Sequence, residues 1–194
     1  MNLNGKKLYF TEPYYDNVIF KDNLEFIDLT NYRGVFNINT LPKNLKILYL
    51  PNKFNDCIDS LPNSIEELYI GIEFNQEIKK LPKKLKFLEF HCHSKFNNSI
   101  KLHYNLRTVI FGKYFNQKIN NNCFLKKIVF GKYYNNNIEN LPNSIETIEF
   151  RYFNNFHAEI INLPENLKHI KINNNYKEII EEFQKNIDFT AEFI

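Results

Sequence analysis

A repeated apolar spacing constrains this chain more than any other feature. Each unit has an apolar anchor, a second apolar residue three positions later, and a third two positions after that. The anchors are Leu24, Leu45, Ile65, Leu85, Leu106, Leu125, Ile145 and Leu167, so successive units are 19 to 22 residues apart. A period near 20 residues is typical of solenoids, in which each repeat contacts only its neighbours.

The spacing within a unit predicts a short strand followed by a compact return path. The second and third apolar residues are two apart and therefore share one face of a strand. Five units have Leu-Pro before the strand, at Leu41-Pro42, Leu61-Pro62, Leu81-Pro82, Leu141-Pro142 and Leu163-Pro164. Proline restricts the backbone and marks the turn into the strand. Because about 20 residues are too few for a strand and a full helix, we expect turns or 3₁₀ segments on the return path.

The second half of each unit carries an aromatic residue, then usually Asn, with Ile three residues after the Asn. Regular cases are Phe54-Asn55, Phe74-Asn75, Phe96-Asn97, Phe115-Asn116 and Tyr134-Asn135, and Phe156-His157 departs from the pattern. We expect the aromatic rings to stack into a spine opposite the strands. The Asn amides are expected to bond to neighbouring backbone groups.

The combination of Leu-Pro-x-x-Leu/Ile with Phe-Asn-x-x-Ile over residues 24–172 resembles the FNIP repeat, a relative of the leucine-rich repeat. The resemblance implies a protein-interaction solenoid of the kind found in social amoebae and in giant viruses that infect amoebae. It also implies a link to ubiquitin ligases, because such repeats often follow an F-box. Residues 1–40 show no F-box motif.

The repeat divides the chain into three parts of a single domain. Residues 1–23 are predicted to cap the open N-terminal end, and residues 24–173 to form eight repeats with a parallel strand ladder on the concave face. Residues 174–194 are predicted to form a C-terminal capping helix, because Ile179, Ile180, Phe183 and Ile187 recur at helical spacing.

Composition points to an intracellular protein without a membrane segment. The net charge of +3 comes from interspersed acidic and basic residues, which argues against a nucleic-acid partner. Cys57, Cys92 and Cys123 have no disulfide-framework spacing, which suits a reducing compartment. Since no signal peptide or long apolar run is present, we expect a cytoplasmic location, including the cytoplasm of a host cell.

The sequence offers no catalytic motif and one weak metal motif. There is no glycine-rich phosphate loop and no nucleophile elbow, so we predict neither an enzyme nor a cofactor. His91 and His93 would share one face of a strand with Cys92 directed into the core, but a structural zinc site needs four ligands. No metal is predicted.

The candidate binding surface is the strand face opposite the core, which we expect to be concave. Its candidate residues are Ile47, Tyr49, Tyr69, Phe87, Glu89, Ile110, Val129 and Glu149. The core positions are already filled by the repeat, so the apolar residues here predict an exposed interaction patch. The alternative explanation is that β propensity favours Tyr, Ile and Val on any strand.

Three functions are compatible with this surface. The first is a non-enzymatic module that binds a protein partner, including a host protein, through the concave face. The second is a self-associating structural or virion component, for example a homodimer formed through the same patch or an end-strand edge. The third is the substrate-recognition part of a ubiquitin-ligase adaptor.

Overall fold

The repeat folds into a single ladder of strands. The computed structural model describes residues 2–14, 16–119, 123–151 and 157–194. Within these residues, eleven strands form one sheet in chain order. They are β1 (Asn2–Asn4), β2 (Lys7–Tyr9), β3 (Phe26–Asp28), β4 (Ile47–Tyr49), β5 (Glu67–Ile70), β6 (Phe87–Phe90), β7 (Thr108–Ile110), β8 (Lys127–Phe130), β9 (Thr147–Phe150), β10 (His169–Ile172) and β11 (Thr190–Phe193). β1 and β2 are antiparallel, whereas each later pair is parallel. The predicted leucine-rich-repeat-like solenoid is confirmed.

Equivalent residues of successive repeats lie opposite one another in this ladder. Ile27 pairs with Leu48, Leu48 with Leu68, and Leu68 with Leu88. These second apolar positions and the anchors are buried in one continuous core. Burying a Leu or Ile side chain contributes about 1.5–3 kcal/mol, so the repeated pattern both fixes the register and stabilises it.

The Leu-Pro motif forms the turn that leads into each strand. In all five Leu-Pro units the proline carbonyl accepts a hydrogen bond from the anchor N–H three residues later, at 3.0 to 3.2 Å. That bond closes a β-turn. The unit of Leu106 keeps the turn without proline, because His103 O accepts from Leu106 N at 3.1 Å. Proline therefore favours this turn but is not required for it.

The aromatic residues form the predicted spine on the side opposite the strands. Stacked pairs join successive coils, with ring centroids 6.4 Å apart for Phe54 and Phe74, 5.9 Å for Phe74 and Phe96, and 6.0 Å for Phe96 and Phe115. Tyr134 continues the stack at 6.3 Å from Phe115. The rings of the spine are buried in the core. Phe156 lies outside the described residues.

The repeated Asn residues form a second ladder, between coils rather than within turns. The side-chain oxygen of Asn55 accepts from Asn75 N at 2.8 Å, and Asn75 accepts in turn from Asn97 N at 3.0 Å. Three more steps follow, to Asn116 N, Asn135 N and His157 N. The predicted bonding of Asn to neighbouring backbone is confirmed, and it supplies acceptors for N–H groups that no strand partner reaches.

The return path contains turns, a 3₁₀ segment and isolated bridges, as its length predicts. A 3₁₀ helix spans Ile38–Thr40. Parallel bridges join Ile78 to Ile100 and Ile138 to Ile160. Coils also approach closely just after the strands, where a Cβ atom on Gly131 would lie 2.1 Å from Gly112 O. Glycine is needed there for space.

Charged side chains flank the ladder and bridge neighbouring coils. Glu25 accepts hydrogen bonds from Lys46 and Lys6, and these bonds hold the pKa of its carboxyl at about 2. Glu146 is bonded in the same way by Lys126 and Lys168, and its pKa is also about 2.

The ladder extends into both predicted caps. At the N-terminal end, β2 pairs in register with β3, and Leu8 and Phe10 are buried. At the C-terminal end, the predicted helix is present as α1 (Lys177–Gln184), with Ile180 buried and Ile179 exposed. The helix does not end the stack, because β11 follows it and pairs with β10. That last strand was not predicted.

Candidate interaction surface

The aromatic residues of the concave face form one connected group on β3 to β6. We call Phe26, Ile47, Tyr49, Tyr69 and Phe87 the aromatic half of this face. The Tyr49 and Tyr69 rings are stacked, with centroids 3.8 Å apart and planes inclined by 3°. Phe26 lies 5.8 Å from Tyr49, and Phe87 lies 5.3 Å from Tyr69. Strand register brings these rings together, since Tyr49 and Tyr69 are direct partners across β4 and β5.

Each residue of the aromatic half is half-buried, because each ring covers part of its neighbour. Burial raises the pKa of Tyr69, and the neighbouring Tyr49 hydroxyl and Glu67 carboxylate raise it further. The Tyr69 hydroxyl donates a hydrogen bond to Glu67 Oε2 at 3.0 Å. The Tyr69 phenol is therefore neutral and held by this hydrogen bond, and part of each ring remains exposed.

An open cavity of about 310 Å³ lies beside the stacked rings. Its walls include Thr30, Tyr49, Asn52, Tyr69, Glu89 and His91. Burial, together with the nearby His93, lowers the pKa of His91, so its imidazole is neutral near pH 7. The cavity thus combines ring edges, one carboxylate and a neutral imidazole.

Two candidate residues are not exposed, and the prediction of an exposed patch was wrong at these positions. Ile110 is 7% exposed and Val129 is 0% exposed. Arg151, just after β9, reaches Glu89 on β6, with Nη1 3.8 Å from Oε1. Strands β7 and β8, which carry Ile110 and Val129, lie between the strands of these two residues. Long charged side chains can cover apolar surface in this way.

Ion pairs dominate the other end of the concave face. We call Lys127, Glu149, Arg151, Lys171 and Glu192 the ion-paired half. Lys127 bonds to Glu149, and Lys171 Nζ lies 2.5 Å from Glu192 Oε1. Glu149, a predicted binding residue, is therefore already engaged by a lysine of the same chain. Glu89 lies at the border between the two halves and is contacted by Arg151.

The histidine motif does not have the predicted strand geometry. β6 ends at Phe90, so His91 to His93 lie in the turn that follows, with ring centroids 5.7 Å apart. Cys92 is half-buried rather than directed into the core. In the part of the chain that the structure describes, no three His, Cys, Asp or Glu side chains are grouped so that they could hold a metal ion.

Sequence reasoning missed the contributions of Arg151 and His91 to this surface. Each of them directly follows the last residue of a strand. Since side chains alternate between the two faces of a strand, Arg151 continues the row of Glu149, and His91 continues the row of Glu89. Extending the alternation past the third apolar residue of the repeat would have found them.

A separate pair of exposed rings lies in the turns after β7 and β8. Tyr114 and Tyr133 are 43% and 39% exposed, and their centroids are 5.4 Å apart. Lys113 Nζ lies 5.1 Å from the Tyr114 ring centroid and 5.3 Å from that of Tyr133. These tyrosines resemble Tyr49 and Tyr69 in chemistry but lie on another surface.

None of the helices in the described residues is long and apolar enough to cross a membrane. This finding concerns only the helical parts of the ranges given above.

Comparisons with known proteins agree with the repeat and the fold. The FNIP Repeat family matches residues 35–71, 58–93 and 124–153. Among solved structures, the giant-virus protein CroV588, described as a novel circular leucine-rich-repeat protein, is similar with a TM-score of 0.61 and 26% identity. The similarity covers 93% of this chain and 30% of CroV588, so the chain spans less than a third of that protein's length. No curated protein matches significantly.

The matched segments contain strands β4 to β6 and β8 to β9 with their Leu-Pro and Phe-Asn motifs. The resemblance drawn from those motifs is confirmed in the matched segments, and the chain folds as a leucine-rich-repeat-like solenoid.

Proposed function

We propose that this chain binds a protein partner through the aromatic half of its concave face. Solenoids of FNIP and leucine-rich repeats are generally protein-interaction modules. The observation that carries the proposal is the connected set of rings Phe26, Tyr49, Tyr69 and Phe87, which lies outside the core and is only half-buried. Aromatic residues on rigid elements are typical binding hot spots.

The rigidity of the ladder supports the proposal. Tyr49, Tyr69 and Phe87 project from adjacent strands whose backbones are held by pairing on both sides. Little conformational entropy would be lost when a partner contacts them, so most of the contact energy would appear as affinity. We propose that the partner is a cytoplasmic protein, of the host cell if the chain acts during infection.

A pull-down with matched variants tests this proposal. We expect Tyr69→Ala/Phe87→Ala to weaken capture of the partner at least tenfold, or about 1.4 kcal/mol. The variant should remain folded, losing about 1–2 kcal/mol of stability through the missing ring contacts. The matched control is Tyr114→Ala/Tyr133→Ala, which removes two exposed rings from another surface and should leave capture unchanged. Equal recovery of the partner by all three proteins would contradict the proposal.

A second candidate function is end-to-end self-assembly, which the open edge of β11 favours. On one side β11 pairs with β10, and within the described residues no strand pairs with its other side. Its apolar residues Ala191 and Phe193 are only half-buried. Edge strands of this kind readily pair with another chain.

Ala191→Pro tests assembly without disturbing the fold. Thr190 N donates to Lys168 O, just before β10, and Ile194 N donates to Ile172 O, so alternation directs the Ala191 N–H away from β10. Proline at this position removes only an outward donor and is tolerated on an edge strand. Light scattering should then show oligomers for the wild type and monomers for the variant. A monomeric wild type at tens of micromolar would exclude this function.

A further inference from the structure

We propose that the partner segment seated on the aromatic half carries arginine side chains. The inference rests on the proposed function and gives the chemistry of the partner. It follows from a difference between the carboxylates of the concave face: some are paired with cations of the same chain and others are not.

Two carboxylates beside the aromatic half have no cationic partner among the described residues. Among the described residues, no lysine, arginine or histidine nitrogen lies within 4.0 Å of the carboxylates of Asp28 or Glu67. In the ion-paired half, by contrast, Glu149 and Glu192 each have a lysine. One half of the face has therefore neutralised its charges internally, whereas the other presents them unpaired.

Both unpaired carboxylates lie beside aromatic rings. Asp28 is the direct strand partner of Tyr49, and Glu67 is the direct partner of Phe87. Glu67 also accepts the hydrogen bond from the Tyr69 hydroxyl. A guanidinium group is planar, stacks on aromatic faces and donates paired hydrogen bonds to a carboxylate. The combination of ring and carboxylate fits arginine better than a compact ammonium group.

Cations of the chain itself flank the aromatic half and show that its surface accepts them. At one end, Lys7 Nζ lies 5.8 Å from the Phe26 ring centroid. At the other end, the Arg151 guanidinium contacts Glu89. Between them, no cation of the described residues covers Glu67 or the stacked Tyr49 and Tyr69 rings, and the open cavity lies alongside the two rings. A partner arginine would contact Glu67 as Arg151 contacts Glu89.

The same charges disfavour acidic partners. Asp28, Glu67 and Glu89 would repel phosphate groups and acidic peptides from the aromatic half. Asp28 and Glu67 lie on β3 and β5, two strand spacings apart, or roughly 10 Å. An extended peptide advances about 3.3 Å per residue, so arginines three residues apart match that separation.

An NMR titration with defined peptides tests the proposal. The probe is the acetylated and amidated peptide GRSGRSGRG, and the comparison peptides replace each arginine by citrulline or by glutamate. We expect the arginine peptide to shift the Tyr49 and Tyr69 ring signals and the Glu67 carboxyl signal. The citrulline peptide keeps the shape but loses the charge, and it should bind at least tenfold more weakly.

The double substitution Asp28→Asn/Glu67→Gln should lower the affinity for the arginine peptide at least fivefold. These replacements keep the acceptors for Thr30 N and for the Tyr69 hydroxyl, so the local structure is retained. Glu192→Gln, which removes a carboxylate from the ion-paired half, is the matched control and should leave affinity unchanged. Binding should also weaken as salt is raised from 50 to 500 mM, because a charge interaction at a surface is screened.

Three results would overturn the proposal: equal binding of the citrulline peptide, preferred binding of the glutamate peptide, or no localised shift with the arginine peptide. The proposed function would fail separately, through unchanged partner capture by Tyr69→Ala/Phe87→Ala. If that variant loses its partner while the arginine peptide does not bind, the surface is correct and the assigned partner chemistry is wrong.

Discussion

The two halves of the concave face belong to the same strand ladder but differ in whether their charged side chains have partners within the chain. On β3 to β6, Tyr49 and Tyr69 stack while Asp28 and Glu67 lack a cation among the described residues. On β8 to β11, Lys127 and Lys171 each bind a glutamate. The rings and carboxylates of the first half can therefore contact a partner, whereas the charged groups of the second half are already paired with each other.

This difference shows that a position in the repeat does not determine exposure. Tyr69, Ile110 and Val129 occupy the same column of the ladder. Tyr69 is half-buried, whereas Ile110 and Val129 are buried. The chemistry of neighbouring strands therefore decides which members of a column form a surface and which belong to the interior.

The largest effect is expected for Val129→Asp. Val129 is 0% exposed, so the substitution would bury an unpaired charge and lower the free energy of unfolding by about 3–5 kcal/mol. Urea denaturation measures the change. Val35→Asp is the matched control, since Val35 is 85% exposed and should change stability by no more than about 0.5 kcal/mol. Similar losses for both variants would mean that Val129 is not covered in solution.

An intermediate effect is expected for Arg151→Ala. We expect removal of the guanidinium to uncover Ile110 and Val129 and to extend the apolar surface of the aromatic half. Because the pair with Glu89 is a surface ion pair, stability should fall by only about 1 kcal/mol or less. Binding of the dye ANS should increase. Arg107→Ala, at an exposed residue that bonds to the Tyr104 carbonyl, is the control and should leave dye binding unchanged. Unchanged dye binding by the Arg151 variant would show that Arg151 does not cover these residues.

The smallest effect is expected from the bridging glutamates beside the two halves. Lysine partners hold the pKa values of Glu25 and Glu146 at about 2, below the ordinary value of 4.5. A depressed carboxyl pKa contributes stability above about pH 4.5, and this contribution is lost as pH falls towards 2. The melting temperatures of Glu25→Gln and Glu146→Gln should therefore approach that of the wild type over this range. Both sites are exposed, so the difference should be small and should shrink in high salt.

A constant difference from pH 6 to pH 2 would contradict this account of the two glutamates. Since Glu25 flanks the aromatic half and Glu146 the ion-paired half, the two variants should behave alike. A large asymmetry would mean that the halves also differ in stability and not only in binding capacity.

The sequence predicted the ladder, the turn and the spine because each depends on residues repeated in every unit. Local spacing alone predicts the pairing of Leu68 with Leu88, the turn closed by Pro62 and the stacking of Phe74 on Phe54. The strand β11 escaped prediction because Ala191 and Phe193 give only one step of alternation, without an anchor. The division into caps and repeats stays a prediction.

The candidate surface was predicted only in part, because its residues depend on strand register and also on contacts between distant strands. Tyr49, Tyr69 and Phe87 lie together because strand register is set by the core pattern. The burial of Ile110 and Val129 accompanies a contact between Arg151 and Glu89 that spans three strand spacings. Such a contact has no periodic signature, since it joins residues 62 positions apart in the chain.

Hydroxyl-radical footprinting of the complex with the captured partner tests the central claim most directly. Oxidation rates are read for Tyr49, Tyr69 and Phe87, with Tyr114 and Tyr133 as internal controls in the same molecule. The account predicts at least threefold protection of the first three residues and unchanged rates for the two controls. Protection of Tyr114 and Tyr133, with Tyr49 and Tyr69 unprotected, would contradict it and place the partner on the other surface.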